Sequence, residues 1–277
     1  MTGTHPVPAP ERVAVIGAGM VGLATAWFLR ERGVEVTVYE RKGVAAGSSW
    51  GNAGWLTPGI TTPLPEPAVL RYGIRAVLSP SSPVYVPLRP DLRLLRFLTG
   101  FMRHSTTKKW QRAMAAYVPM NRRAFEGFDA LEAAGVGLEA YDAKSFMAAY
   151  RTEAERQTLL DELRHIRSAG QEIEYDVLTG DEAREIEPAL SERVGAAIRL
   201  HGQRYINPGQ FVHTLGAAVQ ERGVKLTIAE VTDVRDERSG VRVLTSTGSA
   251  ERYDAVVLAT GTWLGDLARR FGVRTIV

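Results

Sequence analysis

Apolar residues along this chain change period within a few positions of each other, most sharply near the N-terminus. Residues 13–16 (V-A-V-I) form an apolar run too short for a helix. Leu23, Ala26, Trp27 and Leu29 follow at helical spacing, and Gly33 closes that segment. Val34, Val36 and Val38 then predict a second buried strand that ends at Glu40. Gly17, Gly19 and Gly22 lie between the first strand and the helix. The predicted order is strand, tight turn, helix, strand, acid.

Further along, glycine at 43, 47, 51, 54 and 59 breaks any regular element over residues 41–59. Residues 58–90 hold most of the prolines and predict a long connection with at most one short helix, near 68–78. Residues 91–104 are helical by pattern, and 113–134 predict one or two helices that Pro119 bends or starts. Short strands are expected within 137–150. Thr152 with Glu155 predicts a capping box for a helix that stops before Gly170. A strand over 172–178, a short acidic helix from Thr179 or Asp181 to Pro188, and a strand over 194–200 follow. Asn207-Pro208-Gly209 starts a helix that runs to Arg222. Strands are expected at 224–228, 229–234, 241–245 and 253–259, with a charged hairpin at 236–240. Residues 256–258 read as a fully buried parallel strand, broken by Ala259-Thr260-Gly261.

Composition narrows the chemistry. With 277 residues there is room for one large or two modest domains. There is no cysteine, which excludes disulfides, thiol nucleophiles and cysteine-based metal centres. The five histidines form no H-x-x-x-H pair, and no metal is expected. The start of the chain is polar and proline-rich, reads as a disordered lead-in, and lacks the pattern of a signal peptide. No window approaches the roughly 18 apolar residues of a spanning helix. The net charge of +3 is mild, but the cations cluster. Arg89, Arg93, Arg96, Arg103, Lys108, Lys109 and Arg112 surround an apolar face of Leu92, Leu94, Leu95, Leu98, Phe101 and Met102. Such a surface suits peripheral contact with an anionic membrane, or else packs on the core of its own domain. No nucleic-acid module accompanies the charge.

The N-terminal pattern carries chemistry. Gly17 permits the sharp turn, Gly19 lets a pyrophosphate approach the backbone, and Gly22 allows close helix packing. The N-terminus of the helix then faces the phosphates, and Glu40 stands where a carboxylate accepts hydrogen bonds from an adenosine ribose. Glu40 also argues against NADP, whose extra phosphate it would repel. The loop with Ser48, Ser49, Asn52, Trp50 and Trp55 suits contact with a flat, polar-edged group, a plain surface loop being the other reading. Thr260-Gly261 ends a strand at the sheet's carboxyl edge, so the chain returns there to the same nucleotide site.

Together V-I-G-A-G-M-V-G-L-A-T-A-W-F-L, Y-E-R, S-S-W-G-N-A-G-W-L-T-P-G, Y-R-T-E-A-E, I-E-P-A-L, N-P-G-Q-F and V-L-A-T-G-T-W resemble the FAD-dependent amine oxidoreductases of the D-amino acid oxidase type. The nearest branch is the small subunit of bacterial D-amino acid dehydrogenases, with glycine and sarcosine oxidases more distant. The resemblance implies an α/β protein, a Rossmann-like FAD-binding domain (12–90 and 201–277) interrupted by an α+β substrate or cap domain (91–200). It implies FAD as cofactor, with Gly17, Gly19 and Gly22 at the pyrophosphate, Glu40 at the ribose and Arg41 near the adenine. Ser48, Ser49, Asn52 and Gly54 would line the ribityl chain and flavin, Val231 would meet adenine through its backbone, and Thr260 and Gly261 would close over the pyrophosphate. The implied activity is oxidative deamination of D-amino acids, with electrons passed to a quinone or another respiratory-chain acceptor. An oxygen-using amine oxidase and a non-catalytic FAD-binding subunit are the alternatives. An amino acid or amine would be the substrate, and no catalytic residue is named; Tyr150 is the one substrate-side candidate. The implied location is cytoplasmic or peripheral on the inner face of the plasma membrane. The family pattern continues well beyond A-T-G-T-W, which implies a fragment, a truncated product, or one half of a split protein completed by a second subunit.

Overall fold

The computed structural model describes residues 9–67, 69–70, 91–136, 140–144 and 146–273. The predicted lead-in (1–8) and most of the helix expected near 68–78 lie outside the described residues. Along the chain come β1 (Arg12–Ile16), α1 (Met20–Arg30), β2 (Glu35–Glu40), β3 (Trp55–Leu56), α2 (Leu92–His104), α3 (Thr107–Arg122) and α4 (Glu126–Ala133). They are followed by β4 (Tyr141–Asp142), β5 (Met147–Tyr150), α5 (Glu153–Ser168), β6 (Tyr175–Thr179), α6 (Gly180–Ile186), β7 (Ala196–Leu200) and β8 (Arg204–Tyr205). The last part holds α7 (Pro208–Glu221), β9 (Lys225–Ile228), β10 (Val231–Glu237), β11 (Gly240–Thr245), β12 (Ala250–Tyr253), β13 (Ala255–Leu258) and α8 (Leu264–Ala268).

The chain divides into two units, one formed by Met1–Gly54, Leu131–Glu139 and Asn207–Val277, the other by Trp55–Ala130 and Ala140–Ile206. The second unit thus begins at Trp55 rather than at residue 91, because Trp55–Leu56 pairs with Arg204–Tyr205 late in the same unit.

In the first unit a parallel sheet runs in the order β13-β1-β2-β9. Val13, Val15, Val36 and Val38 are almost wholly buried, and so are Leu23, Ala26 and Trp27 of α1 and Phe211, Val212, Leu215 and Val219 of α7. Both helices therefore present an apolar stripe to the core. An antiparallel sheet, β10-β11-β12, forms a second layer. The buried hydroxyls of Tyr39 and Tyr253 lie 2.8 Å apart and join β2 to β12. Burial pushes the Tyr253 hydroxyl far above its ordinary range.

Two expectations need correcting here. The strand predicted over 253–259 is two strands. Asp254 separates them, and its carboxylate accepts the backbone N–H groups of Glu11 and Arg12, both at 2.8 Å. Residues 256–258 are parallel as predicted, but half-buried rather than fully buried. β13 ends the sheet order, paired on one side by β1, so its outer side lacks a strand among the described residues.

The second unit is α+β. Trp110, Met114 and Val118 of α3 and Leu160, Leu163 and Ile166 of α5 pack with Ile198 and Leu200 of β7. β7 is the centre of the antiparallel sheet β5-β7-β6. Pro119 lies inside α3, and the helix break falls after Arg122. Thr152 caps α5 through its hydroxyl, which accepts the Glu155 N–H. The Glu155 carboxylate bonds the N–H of Arg151 instead of that of Thr152, so the box is not reciprocal. A reciprocal capping box does form one helix later, between Thr179 and Glu182.

Candidate functional site: a cavity at the carboxyl edge of the parallel sheet

β1, β2 and β13 all end at the same edge of the sheet, where open α/β sheets bind ligands. A cavity of about 560 Å³ opens there within the first unit, inside the roughly 300–1,000 Å³ range of small-molecule sites. Its wall includes Gly17 and Gly19 from the first turn, Glu40 and Arg41 from the end of β2, Ser48 and Ser49 from the following loop, and Val231, Thr260 and Gly261.

The first turn is shaped by the backbone around it. Gly17 has φ +113°, and a Cβ there would stand 2.4 Å from the carbonyl oxygen of Ala259. A Cβ on Gly22 would stand 1.9 Å from the carbonyl oxygen of Gly17. Only glycine fits either position, so α1 can start close against the ends of β1 and β13. The first N–H groups of α1 lack helical partners, as at any helix start, which favours an anion. One of them, Met20 N–H, is held by Ser49 Oγ at 3.0 Å.

Glu40 ties the turn to β2. One carboxylate oxygen accepts the Ala18 N–H and the other accepts the Lys42 N–H, both at 3.0 Å. Each oxygen keeps a second lone pair, so the group can still accept from a ligand hydroxyl.

Beside the first turn, Thr260 Oγ1 is buried and has no hydrogen-bond partner among the described residues. Gly261, at φ +58°, would meet nothing within 4 Å if it carried a Cβ. The guanidinium of Arg41 lies 3.9 Å from the ring centroid of Trp263 and links the two sides of the mouth. Arg270, also in the wall, bonds Asp233 at 3.1 Å. The hydrogen bond from Arg235 holds the Asp233 carboxyl below its usual range, and Arg270 adds to that.

Nine of the twelve residues predicted from the sequence therefore line one cavity. Gly22, Asn52 and Gly54 do not. Gly22 acts one layer behind, through packing. Asn52 closes a turn: its Oδ1 accepts the Gly54 N–H at 2.8 Å, and its Nδ2 donates to the Ser49 carbonyl at 3.2 Å. Trp50 and Trp55 stay 64% and 62% exposed and are not in the wall. Tyr150 belongs to the second unit and ends β5; burial, with Glu162 adding, pushes its hydroxyl up. Trp263, Tyr39 and Arg270 line the cavity without having been singled out for it. The tryptophan beside Thr260-Gly261 was a legible signal. Tyr39 adjoins Glu40 on β2, and Arg270 is brought in beside Asp233 by the fold.

The chemistry of this wall fits FAD. Bare backbone and the N-terminal end of α1 suit a pyrophosphate, the Glu40 carboxylate suits a ribose diol, and the Thr260 hydroxyl, without a partner among the described residues, supplies a further buried group for an acceptor. Among the described residues no group of three or more His, Cys, Asp or Glu side chains could hold a metal ion. No helix there is long and apolar enough to cross a membrane.

The chain is 30% identical over 259 residues to the D-amino acid dehydrogenase of Neisseria meningitidis serogroup A, covering 90% of this chain and 60% of that protein. It is 30% identical over 272 residues to D-amino acid dehydrogenase 2 of Mesorhizobium japonicum, covering 95% and 64%. The chain thus spans less than two thirds of the length of these relatives. The crystal structure of glycine oxidase from Bacillus cereus ATCC 14579 shares the fold, with a TM-score of 0.63 at 24% identity over 94% of this chain and 58% of that one. The family model for DAO, FAD dependent oxidoreductase, matches residues 12–277, and with the cavity it assigns this chain to the FAD-dependent oxidoreductase family, with FAD as its cofactor.

Proposed function

We propose that the chain carries the cofactor site of an FAD-dependent D-amino acid dehydrogenase of the small-subunit type, which converts D-amino acids to 2-oxo acids and ammonia and passes electrons to a respiratory-chain acceptor. The observation that carries this reading is the convergence of Gly17, Gly19, Glu40 and Thr260 on one cavity. The D-amino acid preference is supported by the named activity of the sequence relatives, among them those of Phenylobacterium zucineum and Xylella fastidiosa.

The residues named here bind and orient. The turn and the start of α1 hold the diphosphate, Glu40 accepts from the ribose, and Thr260 offers a buried hydroxyl beside the turn. FAD when bound supplies the two-electron acceptor for the hydride lost from the substrate α-carbon, leaving an imine that water hydrolyses. No nucleophilic side chain is needed, in keeping with a chain that has no cysteine.

The test is spectroscopic. The purified protein, offered excess FAD, should retain flavin absorbance after desalting. D-alanine under anaerobic conditions should bleach it, L-alanine should not, and a quinone-like dye should restore it. Rapid peroxide formation in air would replace the dehydrogenase reading with an oxidase. Flavin retained without bleaching by any amino acid or amine would leave a binding subunit, and no retention would sink the cofactor assignment itself.

A further inference from the structure

In the second unit, α2 and α3 follow one another in sequence and behave in opposite ways. α3 buries Trp110, Met114 and Val118. None of the thirteen residues of α2 is buried. Leu92 is 82% exposed, Leu95 56% and Met102 47%, and Phe97 and Leu98 are exposed with them. Five large apolar side chains on one short helix are more than the scattered exposure normal for a protein surface.

Their arrangement is ordered. At about 100° per residue, Phe97, Phe101, Leu94, Leu98, Met102 and Leu95 fall on one arc, and Leu92 extends it past Thr99. Arg93, Arg96, Arg103 and His104 fill the remaining arc with Gly100. The only acid nearby, Asp91, is used at the N-terminus, where its carboxylate accepts the N–H groups of Arg93 and Leu94 at 2.8 and 3.2 Å. None of the three arginines forms an ion pair with a described residue. Lys108 and Lys109 extend the exposed basic surface beyond the helix, and Lys109 Nζ bonds the carbonyl of Arg103 at 2.6 Å.

We infer that α2 is a membrane-docking element, which lies in the plane of an anionic phospholipid surface with Leu92, Leu95 and Met102 in the acyl boundary and Arg93, Arg96 and Arg103 among the headgroups. The charge pattern selects this occupant. A broad apolar arc broken only by Thr99, bordered by cations that form no ion pair with a described residue, on a helix without an acidic side chain, matches a headgroup–acyl boundary. A nucleic acid would leave the leucines uncovered. Docking of this kind does not depend on the proposed oxidation, so either can fail alone.

Vesicle co-sedimentation of the full chain tests the inference. Binding to phosphatidylcholine vesicles containing phosphatidylglycerol is expected, with much weaker binding to phosphatidylcholine alone and loss at high salt. The pair Arg93→Gln and Arg96→Gln should weaken binding roughly 25-fold, at about fivefold per cation. The pair Leu95→Glu and Met102→Glu should abolish it, with the thermal midpoint and flavin retention unchanged because both positions are already exposed. Equal binding to neutral and anionic vesicles, or binding that survives Leu95→Glu and Met102→Glu, would overturn the inference. So would a concentration-dependent dimer that the same pair dissolves in the absence of any lipid binding, which would make a second copy the occupant.

Discussion

Two turns meet at the cavity, and they are built on different terms. After β1, the Gly17 N–H bonds the Tyr39 carbonyl at 2.8 Å, and a side chain at Gly17 would strike the Ala259 backbone. After β13, the Ala259 N–H bonds the Ile16 carbonyl at 2.8 Å, but Gly261 borders open space and Thr260 Oγ1 has no partner among the described residues. The first turn is required by the protein's own packing. The second keeps a buried hydroxyl at a cost, since a buried polar group without a bond is unfavourable by about 1–3 kcal/mol. A ligand in the cavity is the partner we propose for it. Substitutions in the first turn should therefore act on the fold, and substitutions in the second should act on cofactor retention alone.

The largest effect is expected for Gly17→Ala. A positive φ and a 2.4 Å approach to backbone combine, and stability should fall by about 3–5 kcal/mol. A denaturation midpoint close to that of the parent would show that the first turn can relax, and the contrast would be lost. Glu40→Gln comes next. The amide has one acceptor oxygen for two backbone donors, Ala18 and Lys42 N–H, so stability should fall by about 1–3 kcal/mol. Flavin titration should show affinity about tenfold weaker, which equals about 1.4 kcal/mol.

Thr260→Val sharpens the comparison most directly. Removing a hydroxyl that bonds no described residue should leave the unliganded protein within about 0.5 kcal/mol of the parent or make it more stable. Retention of FAD, read by fluorescence titration, should fall about threefold to tenfold. Equal losses in stability and affinity would mean that Thr260 serves the fold. The smallest effect is expected for Trp263→Ala. It removes an exposed contact with Arg41 worth about 0.5–1 kcal/mol, and should raise the flavin dissociation constant about twofold to fivefold with the melting temperature little changed.

Much of the first unit was legible because its signals are local. The V-A-V-I run, the three glycines and the acid of Glu40 each demand a conformation from their immediate neighbours, and β1, α1 and β2 follow. Thr260 and Gly261 could be placed at the same edge because a strand ending in a glycine turn has a defined place in a parallel sheet. Other parts of the same unit were read less well. Ala250–Tyr253 carries too little apolar pattern to be recognised as a strand, and it exists through its pairing with β11. Asn52 and Gly54 sit in a motif suited to ligand contact, yet they are spent on a turn. Which residues of a glycine-rich loop face a cavity depends on how the loop is folded back, and residue type does not carry that information.

Residue order alone was enough to specify a mononucleotide-type strand–turn–helix–strand unit, because glycine, helical periodicity and chain direction act over a few residues. Distant pairings required the folded chain: β13 beside β1 at the end of the sheet, Trp263 against Arg41, and Asp254 holding the start of β1. Such pairings join residues more than two hundred positions apart, and their energies depend on which surfaces meet. The exposure of α2 is of the same kind. Its two faces are written in the sequence, but the exposure of the apolar face among the described residues is decided only by the folded chain.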